Sequence, residues 1–178
     1  MALTATIYKA TITLADIDRG RYETLTATVA RHPSETEERL AARLLAYALF
    51  AEEELTFTRG LCAGDEPELW IKGGDGRVRL WVEVGLPDSE RIVKASRHCE
   101  RVALLACGRA FPTWEQQHLP RLARLANLTV IGIDPPFLAA VVQRLERAVV
   151  WSLTVSGGVC YLTVGAETLE TALRRIVA

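Results

Sequence analysis

Apolar and polar residues alternate over 5–14, with Tyr8, Ala10, Ile12 and Leu14 on one face, and alternate again over 23–31. A turn through Asp18-Arg19-Gly20 separates the two runs, so the period-2 pattern predicts an opening β-hairpin. The period then changes. Leu40, Leu44 and Ala48, with Leu45 and Leu49 beside them, recur at helical spacing and predict an amphipathic helix over 35–52. Ser34-Glu35-Thr36-Glu37 reads as a capping box, in which the Ser hydroxyl and the Glu carboxylate satisfy free amides at the helix start.

Short apolar runs follow at 55–59 and 69–72, and Gly73-Gly74-Asp75-Gly76 then folds the chain back into a run at 78–84. Three strands are predicted, the last two forming a hairpin. Asp88-Ser89 opens a helix to about Cys99, and 102–107 is short and apolar enough for a buried strand. Thr113-Trp114-Glu115-Gln116 repeats the capping-box spacing, with Pro120 expected to kink or end that helix. A strand at 128–133, stopped by Pro135-Pro136, precedes a helix over about 136–147. A hairpin of 149–155 and 159–164 around Gly157-Gly158 comes next, and an amphipathic tail helix is expected from about Glu167. The class is mixed α/β (α+β), a central mixed sheet flanked by helices with hairpins added at both ends. No repeat, low-complexity tract or linker divides residues 1–178, so one domain is expected.

With 178 residues, 49% of them hydrophobic, the chain can bury a core that needs neither disulfides nor a structural metal. Disorder, coiled coil and collagen are excluded by composition. Cys62, Cys99, Cys107 and Cys160 show no CxxC pairing and read as reduced thiols of a cytoplasmic protein. The N-terminal stretch lacks the apolar core of a signal peptide, and no window suits a membrane span. A net charge of −1 argues against coating nucleic acid through bulk attraction. That near-neutrality hides an asymmetry: residues 1–90 carry 10 basic and 16 acidic side chains, residues 91–124 carry 7 and 2, and residues 125–178 carry 4 and 4.

The acidic cluster Asp65-Glu66-Pro67-Glu68 lies just before a predicted strand, and Glu83 lies within the next one. With the fold-back at Gly73–Gly76, Glu83 should face Glu68 or the residues just before it. Converging carboxylates of Asp65, Glu68 and Glu83 would offer hard oxygen ligands to Mg²⁺ or Mn²⁺. A carboxylate in an apolar strand otherwise needs a partner, and a salt-bridged Glu83 with a solvated Asp65 and Glu66 is the plain alternative. Lys94, on the following helix, could orient an attacking water. Arg91 and Arg97, with Lys94 and Arg101, have roughly the spacing of a stripe that contacts phosphates or of a merely solvated face. His32, His98 and His118 lack ligand spacing among themselves and the cysteines. Trp70, Trp81, Trp114 and Trp151 read as core residues rather than base-stacking platforms.

The stretches 5–10, 30–36 (Ala-Arg-His-Pro-Ser-Glu-Thr), 57–63 (Phe-Thr-Arg-Gly-Leu-Cys-Ala), Asp65-Glu66-Pro67-Glu68 and 80–88 (Leu-Trp-Val-Glu-Val-Gly-Leu-Pro-Asp) resemble the YaeQ family of bacterial cytoplasmic proteins, over nearly the whole chain. The resemblance implies a variant of the PD-(D/E)XK restriction-endonuclease-like core over about 35–133. That core's order of helix, three strands, helix and strand is the order read above for 35–107. Carried over, Pro67-Glu68 stands at the motif's Pro-Asp pair with Asp65 as a nearby alternative, Glu83 at the second acid, and Glu37 or Glu38 at an extra helical acid. The motif Lys would stand two residues after Glu83, where this chain has Gly85, and Lys94 is the candidate replacement. The resemblance thus implies a Mg²⁺-dependent phosphodiesterase acting on nucleic acid. The alternative is a nuclease-like fold without catalysis that binds nucleic acid or a protein complex.

Overall fold

A computed structural model describes residues 4–59 and 64–177; Cys62 lies outside the described residues. The alternating N-terminal runs form the expected hairpin, β1 (Thr6–Asp16) with β2 (Arg21–Arg31), in continuous antiparallel register from Thr6↔Arg31 to Asp16↔Arg21. Buried Asp16 fixes its turn by accepting from the backbone N–H of Arg19 at 3.0 Å and from Arg19 Nε at 2.6 Å.

The chain follows as α1 (Glu37–Leu49), β3 (Thr56–Phe57), β4 (Leu69–Lys72), β5 (Val78–Val84), α2 (Ser89–His98) and β6 (Arg101–Ala106). It continues with α3 (Phe111–Leu122), β7 (Leu128–Gly132), α4 (Pro135–Val142), β8 (Ala148–Ser156), β9 (Val159–Val164), β10 (Glu167–Ala172) and β11 (Arg174–Val177). The strands form two mixed sheets, ordered β10-β9-β8-β1-β2 and β11-β7-β6-β5-β4-β3. Hairpins from the two ends of the chain therefore build one sheet together, with β1 and β8 parallel. Asp18 ties their turns, accepting from the N–H groups of Gly157 and Gly158 at 2.7 and 2.8 Å.

Alternation along the second sheet sorts its side chains into two cores. Leu80, Val82 and Val84 of β5 and Ala103 and Leu105 of β6 join α1, α4 and the first sheet. Val102 and Leu104 face the other way, with Trp81, into the layer formed by α2 and α3. Helices α1 and α2 therefore cover opposite faces of β5, and this decides the geometry of the site.

Several local expectations change. The tail is not a helix: Leu169, Thr171 and Leu173 point inward at period 2, and β10 and β11 complete the edges beside β9 and β7. Helix α1 starts at Glu37 with Thr36 as its cap, Oγ1 accepting from Arg39 N–H at 3.1 Å, while Ser34 Oγ bonds His32 Nδ1 at 2.6 Å. Helix α3 starts after Ala110 without a side-chain cap and runs through Pro120 to Leu122. Pro135 and Pro136 open α4 in its first turn, where a missing N–H costs nothing. The strand expected at 55–59 is only two residues long.

Candidate functional site

The β4–β5 hairpin places the two sequence-selected glutamates opposite each other. Leu69 pairs with Val82, and Glu68 N–H donates to Val82 O at 3.0 Å, so Glu68 and Glu83 face each other across the two strands just beyond the end of the ladder. Both are buried, at 5% and 3% exposure.

Their carboxylates are held from opposite sides. Helix α1 reaches Glu68: Arg39 Nη2 donates to its Oε1, and Arg43 Nε stands 3.2 Å from its Oε2 without a directed hydrogen bond. Arg43 also donates through Nη1 to both oxygens of buried Glu35, at 2.9 and 3.1 Å. Helix α2 reaches Glu83: Arg91 Nε donates to Oε1 at 2.7 Å, and Trp81 Nε1 donates to the same oxygen at 2.9 Å. Burial pushes the Glu83 carboxyl above its ordinary range, the Arg91 charge and the two hydrogen bonds pull against that rise, and the charge of Glu68 adds to it.

Arg91 does more than neutralise Glu83. Its Nη1 donates to Gly64 O at 2.7 Å and its Nη2 to Glu66 O at 2.8 Å, so one guanidinium ties the acidic loop to the sheet. Asp65 is exposed on that loop. It lines a cavity with Arg91 and Lys94 that does not include Glu68 or Glu83. Lys94 and Arg97 are exposed on α2, and no acid pairs with either among the described residues.

A divalent cation needs several oxygen donors converging on one point. Among the described residues no three His, Cys, Asp or Glu side chains meet that condition. Glu68 and Glu83 would also have to release guanidinium partners that come from opposite faces of the sheet. The donor set as folded does not fit Mg²⁺ or Mn²⁺. Gly85, at the motif Lys position, has φ +97°, a backbone conformation that a lysine rarely adopts. The space beside it is open, with Arg39 Nη1 4.0 Å from where a Cβ would stand, so the backbone rather than crowding disfavours a side chain there.

The family model of the YaeQ protein matches residues 1–173. The chain belongs to the YaeQ family. "Uncharacterized protein YaeQ" of Escherichia coli strain K12 is 45% identical over 174 residues, spanning 97% of this chain and 96% of the relative, and the protein of that name from Salmonella typhi is equally similar. The crystal structure of the YaeQ protein from Xanthomonas axonopodis pv. citri superposes with a TM-score of 0.94 at 35% identity, covering 98% of this chain and 99% of the other. That of the YaeQ protein from Pseudomonas syringae gives 0.91 at 40% identity, covering 98% and 97%.

The buried-site residues that the sequence pattern did not single out are Arg39 and Arg43 with Glu35. Arg39 and Arg43 stand four apart on α1, so they share a helix face. Arg43 lies among the buried residues of α1. A cation on an apolar stripe requires buried acids, and that was the available signal for Glu35 and Glu68. No helix is long and apolar enough to cross a membrane among the described residues.

Proposed function

We propose that this protein binds nucleic acid through the exposed basic side of α2 and the ends of α3, and does not hydrolyse it. The carrying observation is how its charges are spent. Of the seven basic residues in 91–124, Arg91, Arg101 and Arg121 pair with Glu83, Glu52 and Glu90. Lys94, Arg97, Arg109 and Arg124 are exposed and have no acid partner among the described residues. The buried acids are thus neutralised inside the fold, while these four cations, on α2 and at the two ends of α3, are free to contact phosphates.

Binding of labelled DNA and RNA across a salt series tests this reading. Affinity should fall with salt, and Lys94→Ala with Arg97→Ala should flatten the log–log slope by roughly 1–2. A salt-independent or absent shift would exclude nucleic acid and leave the protein-binding version of a non-catalytic fold. Incubation with Mg²⁺ or Mn²⁺ should leave single- and double-stranded substrates intact. Cleavage that Glu83→Gln abolishes would instead make the protein a metal-dependent phosphodiesterase.

A further inference from the structure

Two of the four tryptophans are not fully buried. Trp114 and Trp151 are 5% and 2% exposed, as the sequence led one to expect, but Trp70 and Trp81 are only half-buried. They are direct partners across the β4–β5 ladder, so both rings project from the same face of the sheet, with Cβ atoms about 5 Å apart. It is the face on which α2 packs. Each indole has a cation over it: Lys72 Nζ lies 3.7 Å from the Trp70 ring centroid, and the Arg91 guanidinium carbon 5.8 Å from that of Trp81.

Between Trp81 and α2 lies a cavity of about 300 Å³, the size of a small-molecule site. Trp81, Ala95 and Cys99 line it, and Arg91, Lys94, His98 and Asp65 supply the polar groups. A flat aromatic wall, a shallow apolar interior and exposed cations on the adjoining helix together describe the surroundings of an unstacked base with its phosphate.

We propose that this cavity receives one base of a single-stranded nucleic acid, stacked on Trp81, with the neighbouring base on Trp70 and the connecting phosphates against Lys94 and Arg97. This deepens, and rests on, the nucleic-acid reading above. A duplex keeps its bases inside the stack and cannot offer one to the cavity, so the site selects single strands. A base rather than an acidic peptide is favoured because the uncompensated charges of Lys94 and Arg97 flank an aromatic slot instead of forming an open basic surface. Asp65 adds an acceptor that suits an exocyclic amino group.

Fluorescence anisotropy with short labelled single strands of RNA and DNA, and a duplex of the same length, tests it on wild type, Trp81→Ala, Trp81→Phe and Lys94→Ala, each checked for folding by circular dichroism. Both Trp81 variants lose the indole donor to Glu83, so the difference between them reads the ring alone. Wild type should bind single strands more tightly than duplex. Trp81→Phe should stay within about threefold of wild type, while Trp81→Ala weakens binding by roughly 5- to 100-fold at an unchanged salt slope. Lys94→Ala should lower the salt slope by about one. If the two Trp81 variants bind equally, or duplex binds as tightly as single strands, the base site is overturned while phosphate binding stands. If wild type binds no nucleic acid, both readings fall.

Discussion

Arg43 sits on α1 at 4% side-chain exposure, bonded to Glu35 and beside Glu68. Removing it strands buried Glu35 and leaves Glu68 with Arg39 alone, so Arg43→Ala should cost about 3–5 kcal/mol in urea unfolding. Arg43→Met with Glu35→Gln should recover much of that loss, because Glu35 is then no longer a buried unpaired charge and Glu68 keeps Arg39. Glu83 makes a pH-dependent contribution of definite sign. Its carboxyl is held above the ordinary value, so between that value and the folded one the native state binds more protons than the unfolded chain, and stability falls as pH rises through this window. Glu83→Gln keeps an acceptor for Trp81 and Arg91 but cannot ionise. Its denaturation midpoint should therefore fall less than that of wild type from about pH 4 upward through the carboxylate range, and equal slopes in the two proteins would place the pH dependence elsewhere. The importance of Glu83 was legible from one carboxylate inside an apolar strand. Its partner was not, because Arg91 lies eight residues on in a separate helix and only the packing of α2 brings it back.

At the scale of elements, the turn from β5 into α2 decides what chemistry the hairpin end can hold. Gly85 has φ +97° and donates its N–H to Leu105 O at 2.9 Å, which holds β5 against β6 where the motif Lys would stand. Gly85→Lys should destabilise the fold by about 1–3 kcal/mol and confer no cleavage with Mg²⁺, since both acids remain paired with arginine. Gain of cleavage in that variant would show that the lysine alone was missing. The element order over 35–133 was legible because its periods are clean and glycines, Asp88 and prolines punctuate it. The C-terminal strands were not. Residues 167–177 suit either an amphipathic helix or alternating strands, and the open edges of β9 and β7 decide between them.

Over the whole molecule, the two sheets meet through one core in which Cys107 and Cys160 are enclosed, and burial pushes both thiols up to about 12. At about pH 8 neither should react with iodoacetamide in the folded protein, and their labelling in rising urea should track global unfolding. Labelling well below the unfolding transition would mean that the core opens locally. Asp18 joins the first and last hairpins across nearly the whole chain. Asp18→Ala leaves the N–H groups of Gly157 and Gly158 without their acceptor, and because the site is exposed and water can replace the carboxylate, the urea midpoint should fall only slightly.

Local pattern determined the strands and helices as far as β9, which of their faces are apolar, and that carboxylates gather near 65–68 and at Glu83, because periodicity, turn chemistry and the cost of burying charge all act over a few residues. Tertiary structure alone decided what those carboxylates meet. Arg39 and Arg43 approach from one face of the sheet and Arg91 from the other, each carried by a helix whose packing is set by contacts distant in sequence. The same packing left Trp70 and Trp81 half-exposed beside uncompensated cations, because α2 covers only part of the face they share.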